Sequence, residues 1–245
     1  GTNYDDWANG LVVDGDGNIS MVGTTGSTLG GQTSHGNNEA FIIRLDKSGN
    51  ALWTKLYGGS GEDDGNAIAR AADGSLYVAG STLGSFGGVN QGDRDIFLFK
   101  TNAEGVQTWV RQLGTSGYDE ASGVAADVDG NVYVTGFTDG PLGGGEADVF
   151  GDLFLLKYDS EGILKWTRRL GSDAEDKGAA VLTDGLGGVF VAGHSYASLD
   201  GNFYGGNRDL ILVRFNRDGE KQWARQVGEG ASEWGNALTI DGQGR

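Results

Sequence analysis

Two kinds of short apolar run alternate along this chain, and their punctuation is the first thing to read. One kind ends on a glycine: ISMVG at Gly23, LYVAG at Gly80, VYVTG at Gly136 and VFVAG at Gly193. The other opens on an acid: AFIIRL after Glu39, IFLFK after Asp95, LFLLKY after Asp152 and LILVRF after Asp209. Runs this short, bounded by Gly, Asp and Asn, predict strands rather than helices, and no stretch carries a convincing 3.6-residue period. A hydroxyl stands two residues past each glycine, at Thr25, Thr82, Thr138 and Ser195. Each second run contains one cation, Arg44, Lys100, Lys157 or Arg214.

The register of these runs is a repeat. Trp53, Trp109, Trp166 and Trp223 lie 56, 57 and 57 residues apart, each four residues after Gly49, Gly105, Gly162 or Gly219. Asp6, Asp63, Asp119, Asp176 and Glu233 open a further series of small-residue runs, whose fifth member begins a new unit. Each unit therefore reads as four strands: the run after the acid, a D-G-type turn, the run closed by glycine, a long Gly-rich loop, the second acid's run, a tight turn and the Trp strand. Four-stranded units at this period predict an all-β propeller of antiparallel blades, in which each sheet buries its faces against its neighbours. The units span 1–57, 58–113, 114–170 and 171–227, with the first strand of a fifth in 228–245, as one domain that either closes a small ring of four or forms part of a ring of five or more blades. The Trp series is expected in the core, where Trp109→Ala would cost about 3–5 kcal/mol.

Two stretches carry a family resemblance. Asp119 to Thr138 reads D-x-A-x-G-V-A-x-D-x-D-G-N-V-Y-V-T-G-x-T, and Asp152 to Trp166 reads D-x-F-L-x-K-x-D-x-x-G-x-x-x-W. Together they resemble the bacterial β-propeller repeat called SBBP, and the register extends over the whole chain. Units one and four depart from it, with Glu39 for Asp, Phe190 for Tyr, and Leu186-Gly187-Gly188 for D-G-N. The resemblance implies a part of a large bacterial surface or secreted protein and no particular ligand.

Composition narrows the function classes. The chain holds 245 residues with 47 Gly, one Met and no Cys, so its fold owes nothing to disulfides. A formal net charge of -16 repels nucleic acid and anionic membrane surfaces, and no apolar run reaches the eighteen or so residues that a bilayer span needs. The charge and the absence of Cys suit a bacterial secreted or cell-surface location. A start at Gly1 and a stop at Arg245 suggest processing or a segment of a longer chain.

With the first strand innermost, the long loops 25–38, 82–94, 138–151 and 195–208 and the unit-to-unit crossings fall on one face. Three kinds of candidate gather there. The repeated acids Asp6, Asp63, Asp119, Asp176, Glu39, Asp95, Asp152 and Asp209 either form a hydrogen-bond and ion-pair clip in each blade or converge on Ca²⁺. Trp7 and Trp234, with Tyr118, Tyr196 and Tyr204, suit stacking on a sugar ring, or serve as a lid on the crossings. The edge near 233–241 offers a strand for self-assembly.

Catalytic signals are sparse. Asp14, Asp16 and Asn18 imitate the start of an EF-hand loop, but Ile19 stands where its Gly belongs and Thr25 where its Glu belongs, so a hairpin turn is expected. His35 and His194 are the only histidines, and Gly193-His194-Ser195-Tyr196-Ala197 imitates a nucleophile elbow without the helix that motif demands. The expectation is a non-catalytic binding or scaffold module for a protein, a glycan or a surface assembly. The competing class is a Ca²⁺-dependent glycan hydrolase or lyase working with a carboxylate pair in the central funnel.

Overall fold

A computed structural model of the chain describes residues 2–34, 37–144, 150–199, 201 and 205–241. Its sixteen strands fall into four blades. The first blade holds β1 (Asp6–Val13), β2 (Ile19–Thr25), β3 (Glu39–Leu45) and β4 (Ala51–Tyr57). The second holds β5 (Asp63–Arg70), β6 (Leu76–Thr82), β7 (Asp95–Thr101) and β8 (Gln107–Leu113). The third holds β9 (Asp119–Ala126), β10 (Val132–Thr138), β11 (Asp152–Tyr158) and β12 (Leu164–Leu170). The fourth holds β13 (Asp176–Thr183), β14 (Gly188–Ser195), β15 (Asp209–Asn216) and β16 (Lys221–Val227). Every blade is an antiparallel meander whose strands pair in chain order. Among the described residues there is no helix, and so none long and apolar enough to cross a membrane.

Seven of the eight hairpins turn by one device, the exception being β5–β6, where Ala71 takes the capping slot. Asp14 Oδ1 accepts from the backbone N–H groups of Asp16 and Asn18, and Asp46, Asn102, Asp127, Asp159 and Asn216 repeat the bond pair in their own turns. Side-chain capping of the turn leaves the carboxylate engaged inside the hairpin. Asp184 keeps the bonds, to Leu186 and Gly188, although D-G-N is lost there. The bonds from Asn18, with help from Arg44, hold the Asp14 carboxyl down at about 2.

The second strand carries its glycine for a different reason. β1 and β2 slip register between Ala8 and Gly10, and a Cβ on Gly23 would lie 1.8 Å from the Trp7 carbonyl oxygen. The same overlap, at 1.8 to 1.9 Å, would occur at Gly80, Gly136 and Gly193. Only glycine permits the two backbones to approach this closely at the bulge.

The innermost strands pack in series, β1 on β5, β5 on β9 and β9 on β13, and no comparable packing joins β13 back to β1 among the described residues. Three apolar cores fill the three gaps between four blades. Val22, Ile42, Leu76 and Phe97 meet between the first and second, Tyr77, Val134 and Phe154 between the second and third, and Leu155, Val191 and Val213 between the third and fourth. On blade one, Leu11 and Val13 are exposed, as no other blade packs on that sheet face among the described residues.

The tryptophans, expected within the core, pack against it from its edge. Trp53, Trp109 and Trp166 are half-buried on the outermost strand, and each lies against the last hairpin of the following blade. Trp109 Nε1 donates to Ser160 O at 3.0 Å, while Arg111 donates from Nε to Gly162 O and from Nη2 to Glu161 O, both at 2.9 Å. Arg168 repeats this grip on Gly219 and Asp218. The rim is thus a chain of forward clamps in which one blade holds the next.

The run from 233 to 241, expected as a fifth unit's first strand and an open edge, is not a strand. Glu233 N donates to Arg208 O at 2.9 Å, as Asp119 N does to Arg94 O at 2.8 Å, and Gly235 N donates to Gly193 O at 3.3 Å. The segment follows an inner strand's path, but the described residues hold no second strand of that unit to pair with it, and a ladder needs two strands.

Candidate binding face

The strand registers carry the repeated acids into rows. Asp6 lies opposite Thr25 and Thr25 opposite Glu39; Asp63, Thr82 and Asp95 repeat the row, as do Asp119, Thr138 and Asp152, and Asp176, Ser195 and Asp209. Thr25 Oγ1 donates to Asp6 at 2.6 Å and Thr138 Oγ1 to Asp119 at 2.5 Å. The crossing between blades supplies further donors, with Thr115 N and Oγ1 on Asp119 and Ser172 N and Oγ on Asp176.

The third-strand acids tie down the long loops. Asp95 Oδ2 accepts from Gln91 N at 2.9 Å and Gln112 Nε2 at 2.8 Å, and Asp209 Oδ2 accepts from Gly205 N at 3.0 Å and Gln226 Nε2 at 3.1 Å. Arg169 takes the glutamine's place beside Asp152 at 3.3 Å, and Ser34 donates to Glu39 at 3.2 Å.

Burial pushes the carboxyls of Asp63, Asp119 and Asp176 up from their ordinary value, because the charged form loses its water there. Asp6 is less covered, and the bond from Thr25 holds it down. The acids also act on one another across blades, as the charge of Glu39 adds to the rise at Asp63 and that of Asp152 to the rise at Asp176. Among the described residues no three His, Cys, Asp or Glu side chains stand close enough together to hold a metal ion.

The cations expected in this clip are elsewhere. Arg44 pairs with Asp14, Lys100 with Asp73 at 3.7 Å and Arg214 with Asp184 at 3.7 Å, all at the hairpin end of the strands. Lys157 donates to Arg217 O at 2.9 Å and stands over Tyr133. The cation's position late in its strand puts it at the opposite face of the disc from the acid that opens the strand.

The axial cavity, of about 270 Å³, is lined by Asn9, Asn66, Ser122, Ala179 and Asn236 with the small and apolar residues that follow them, and no carboxylate lines it among the described residues. Asn9 Nδ2 donates to Gly65 O at 3.0 Å and Asn66 Nδ2 to Ala121 O at 2.9 Å, so these amides stitch inner strands together.

Of the aromatic candidates, Trp7 and Trp234 stand largely open to solvent. Trp7 is 51% and Trp234 52% exposed. Trp7 joins Tyr4, Asp5, Gly26, Asn37 and Asn38 around an open cleft of about 380 Å³. Tyr118 is held in place, its hydroxyl on Glu120 at 3.3 Å and its ring 6.2 Å from Phe137. Tyr204 and His35 lie outside the described residues. Tyr196 and Trp234 come together around Arg208, with the guanidinium carbon 4.5 Å from the first ring centroid and 4.8 Å from the second. Sequence reasoning missed Arg208. The signal was present in the repeat register, where Arg208 and Arg94 share a slot but Lys177 stands where Asp64 faces Arg94. Ser195 closes β14, with its hydroxyl donating to Ala197 O at 2.8 Å. His194 is buried beside it and its imidazole is held down to about 4, by burial first and then by the charges of Arg208 and Lys177.

Blades of four antiparallel strands packed face to face define the class: this is a β-propeller. Residues 108–143 match the family profile of the SBBP β-propeller repeat. The regulatory protein FlaEY of Caulobacter vibrioides is 28% identical over 168 residues, which are 63% of this chain and 17% of that protein. An uncharacterized WD repeat-containing protein, L264, of Acanthamoeba polyphaga mimivirus is 20% identical over 261 residues, covering 80% of this chain and 19% of its own. The chain thus spans less than a fifth of either relative. Among solved structures, the gluconolactonase XC5397 of Xanthomonas campestris superposes with a TM-score of 0.50 at 17% identity, over 92% of this chain and 64% of that one. That likeness is one of fold.

Proposed function

We propose that this propeller is a non-catalytic binding module, secreted or displayed at a bacterial surface, that engages a glycan or protein ligand through its long-loop face. The observation that carries the reading is the split in use between the two residue classes on that face. The repeated carboxylates are engaged in holding loops and crossings, whereas Trp7 and Trp234 keep about half of their surface in water. Exposed indoles on a rigid frame are suited to stacking on sugar rings or apolar side chains. An axial cavity lined by amides and alkyl groups offers no acid pair for glycoside hydrolysis. The acidic composition supports an extracellular setting.

A glycan array and a panel of immobilised surface proteins, probed with the wild type and with Trp7→Ala and Trp234→Ala, test the reading. Binding that falls at least tenfold in one of the variants while the melting temperature holds is the expected result. Hydrolysis of a polysaccharide that disappears on a single Asp→Asn exchange would replace the binding module with an enzyme.

A further inference from the structure

Arg94 and Arg208 occupy the same slot of the repeat, immediately before the third-strand acid, and their surroundings differ. Arg94 is fully engaged: Nη1 pairs with Asp64 and donates to Ser81 at 3.0 Å, and Nη2 meets Glu62 at 3.2 Å. In the fourth blade the register replaces Asp64 by Lys177 and Ser81 by His194. Glu175, in the slot of Glu62, lies 3.7 Å from His194 Nε2. Lys177 is turned to Glu120 at 2.8 Å. No donor of the Arg208 guanidinium finds an acceptor among the described residues, and its Nε is buried without one.

An arginine without an ion pair among the described residues, on a chain of net charge -16, calls for an explanation. Tyr196 and Trp234 both pack against the guanidinium, and its fork of N–H groups is left without an acceptor among the described residues. A planar fork matches a carboxylate, two parallel bonds to two oxygens. Trp234 is half exposed around this fork and gives a sugar ring a surface to lie on. The rest of the protein sets the ligand's charge density. With the field screened over about 8 Å, a single carboxylate can reach Arg208, whereas a run of closely spaced phosphates or sulfates would meet the surrounding acids.

We propose that Arg208, packed against Tyr196 and Trp234, is a recognition site for a hexuronate, a sugar ring bearing one carboxylate. The proposal rests on the loop face being the binding face. The fork takes the carboxylate and the indole takes the ring.

The test titrates methyl hexuronosides of the gluco, galacto and manno series, each beside its neutral hexoside and beside acetate, following Trp fluorescence and heat. At least one uronoside is expected to bind about tenfold tighter than both its hexoside and acetate, and Arg208→Gln is expected to abolish that preference. Equal affinity for uronoside and hexoside, or for uronoside and acetate, overturns the proposal. If Arg208→Gln fails to fold, Arg208→Lys keeps the charge and loses the fork; it should weaken the uronoside about threefold or more and leave the hexoside alone, and no change overturns the proposal. Neutral sugars lost on Trp234→Ala with no effect of Arg208→Gln would sink the hexuronate and leave the loop face standing. No binding to any sugar or surface protein would sink both.

Discussion

Gly49 and Gly162 make an internal experiment on how much one blade's grip on the next contributes. Both sit at the same point of the last hairpin with a left-handed backbone, φ +83 at Gly49 and φ +75 at Gly162. An alanine at either position carries the left-handed strain of about 1 kcal/mol. Their surroundings differ. A Cβ on Gly49 meets nothing within 4 Å, whereas one on Gly162 lies 3.0 Å from Cδ2 and Cε3 of Trp109 in the preceding blade. The indole must retreat by a few tenths of an ångström, which strains its bond to Ser160 O, and overpacking of this kind costs about 1–3 kcal/mol. Gly49→Ala should therefore lose about 1 kcal/mol and Gly162→Ala about 2–4 kcal/mol. Urea unfolding followed by Trp fluorescence measures both, the comparison being valid where the denaturant slopes agree. Losses equal to within about 0.5 kcal/mol would show that the rim contacts between blades add nothing, and the clamp would be geometry without energy.

Three further outcomes follow from the same structure. Trp109→Ala removes a half-buried ring and one hydrogen bond, so its cost should come to about 2–3 kcal/mol in the same assay, under the 3–5 kcal/mol of a fully buried Trp; a loss below about 1 kcal/mol would count against the clamp. Asp119 is raised by burial, so its folded form takes a proton more readily than its unfolded form; that contribution is complete below about 3.8 and fades as pH rises through the folded value. Melting curves of Asp119→Asn should show less decline with rising pH over that window than the wild type, and identical slopes would refute the assignment. His194 is lowered to about 4, so its imidazole should stay neutral in NMR spectra down to about pH 5, and a midpoint near 6.5 would mean that water reaches it.

The strands and their order were legible because each boundary has a local physical cause: an acid or hydroxyl that ends a row, a glycine that admits a bulge, an Asp or Asn that caps a hairpin. Gly136 and Asp127 illustrate this, as the side-chain type at each is dictated by atoms within its own blade. What depends on the neighbouring blade was less legible. Trp109 recurs as a core residue would, yet its partner is a hairpin carbonyl 51 residues ahead, which no local pattern displays. The clip at Asp119 was readable as an acid with a nearby hydroxyl, but the cation's place was not, because a strand of seven residues carries its two ends to opposite faces. Arg208 was hidden for a subtler reason, since its meaning lies in what Lys177 and His194 displaced.

The rim clamps point one way along the chain, from Trp and Arg of one blade to the hairpin of its successor. A ribosome delivering this protein releases the gripping strand before the hairpin it grips. Every newly emerged blade therefore waits, half fastened, for the one behind it, and misassembly during synthesis should begin at whichever blade emerged last.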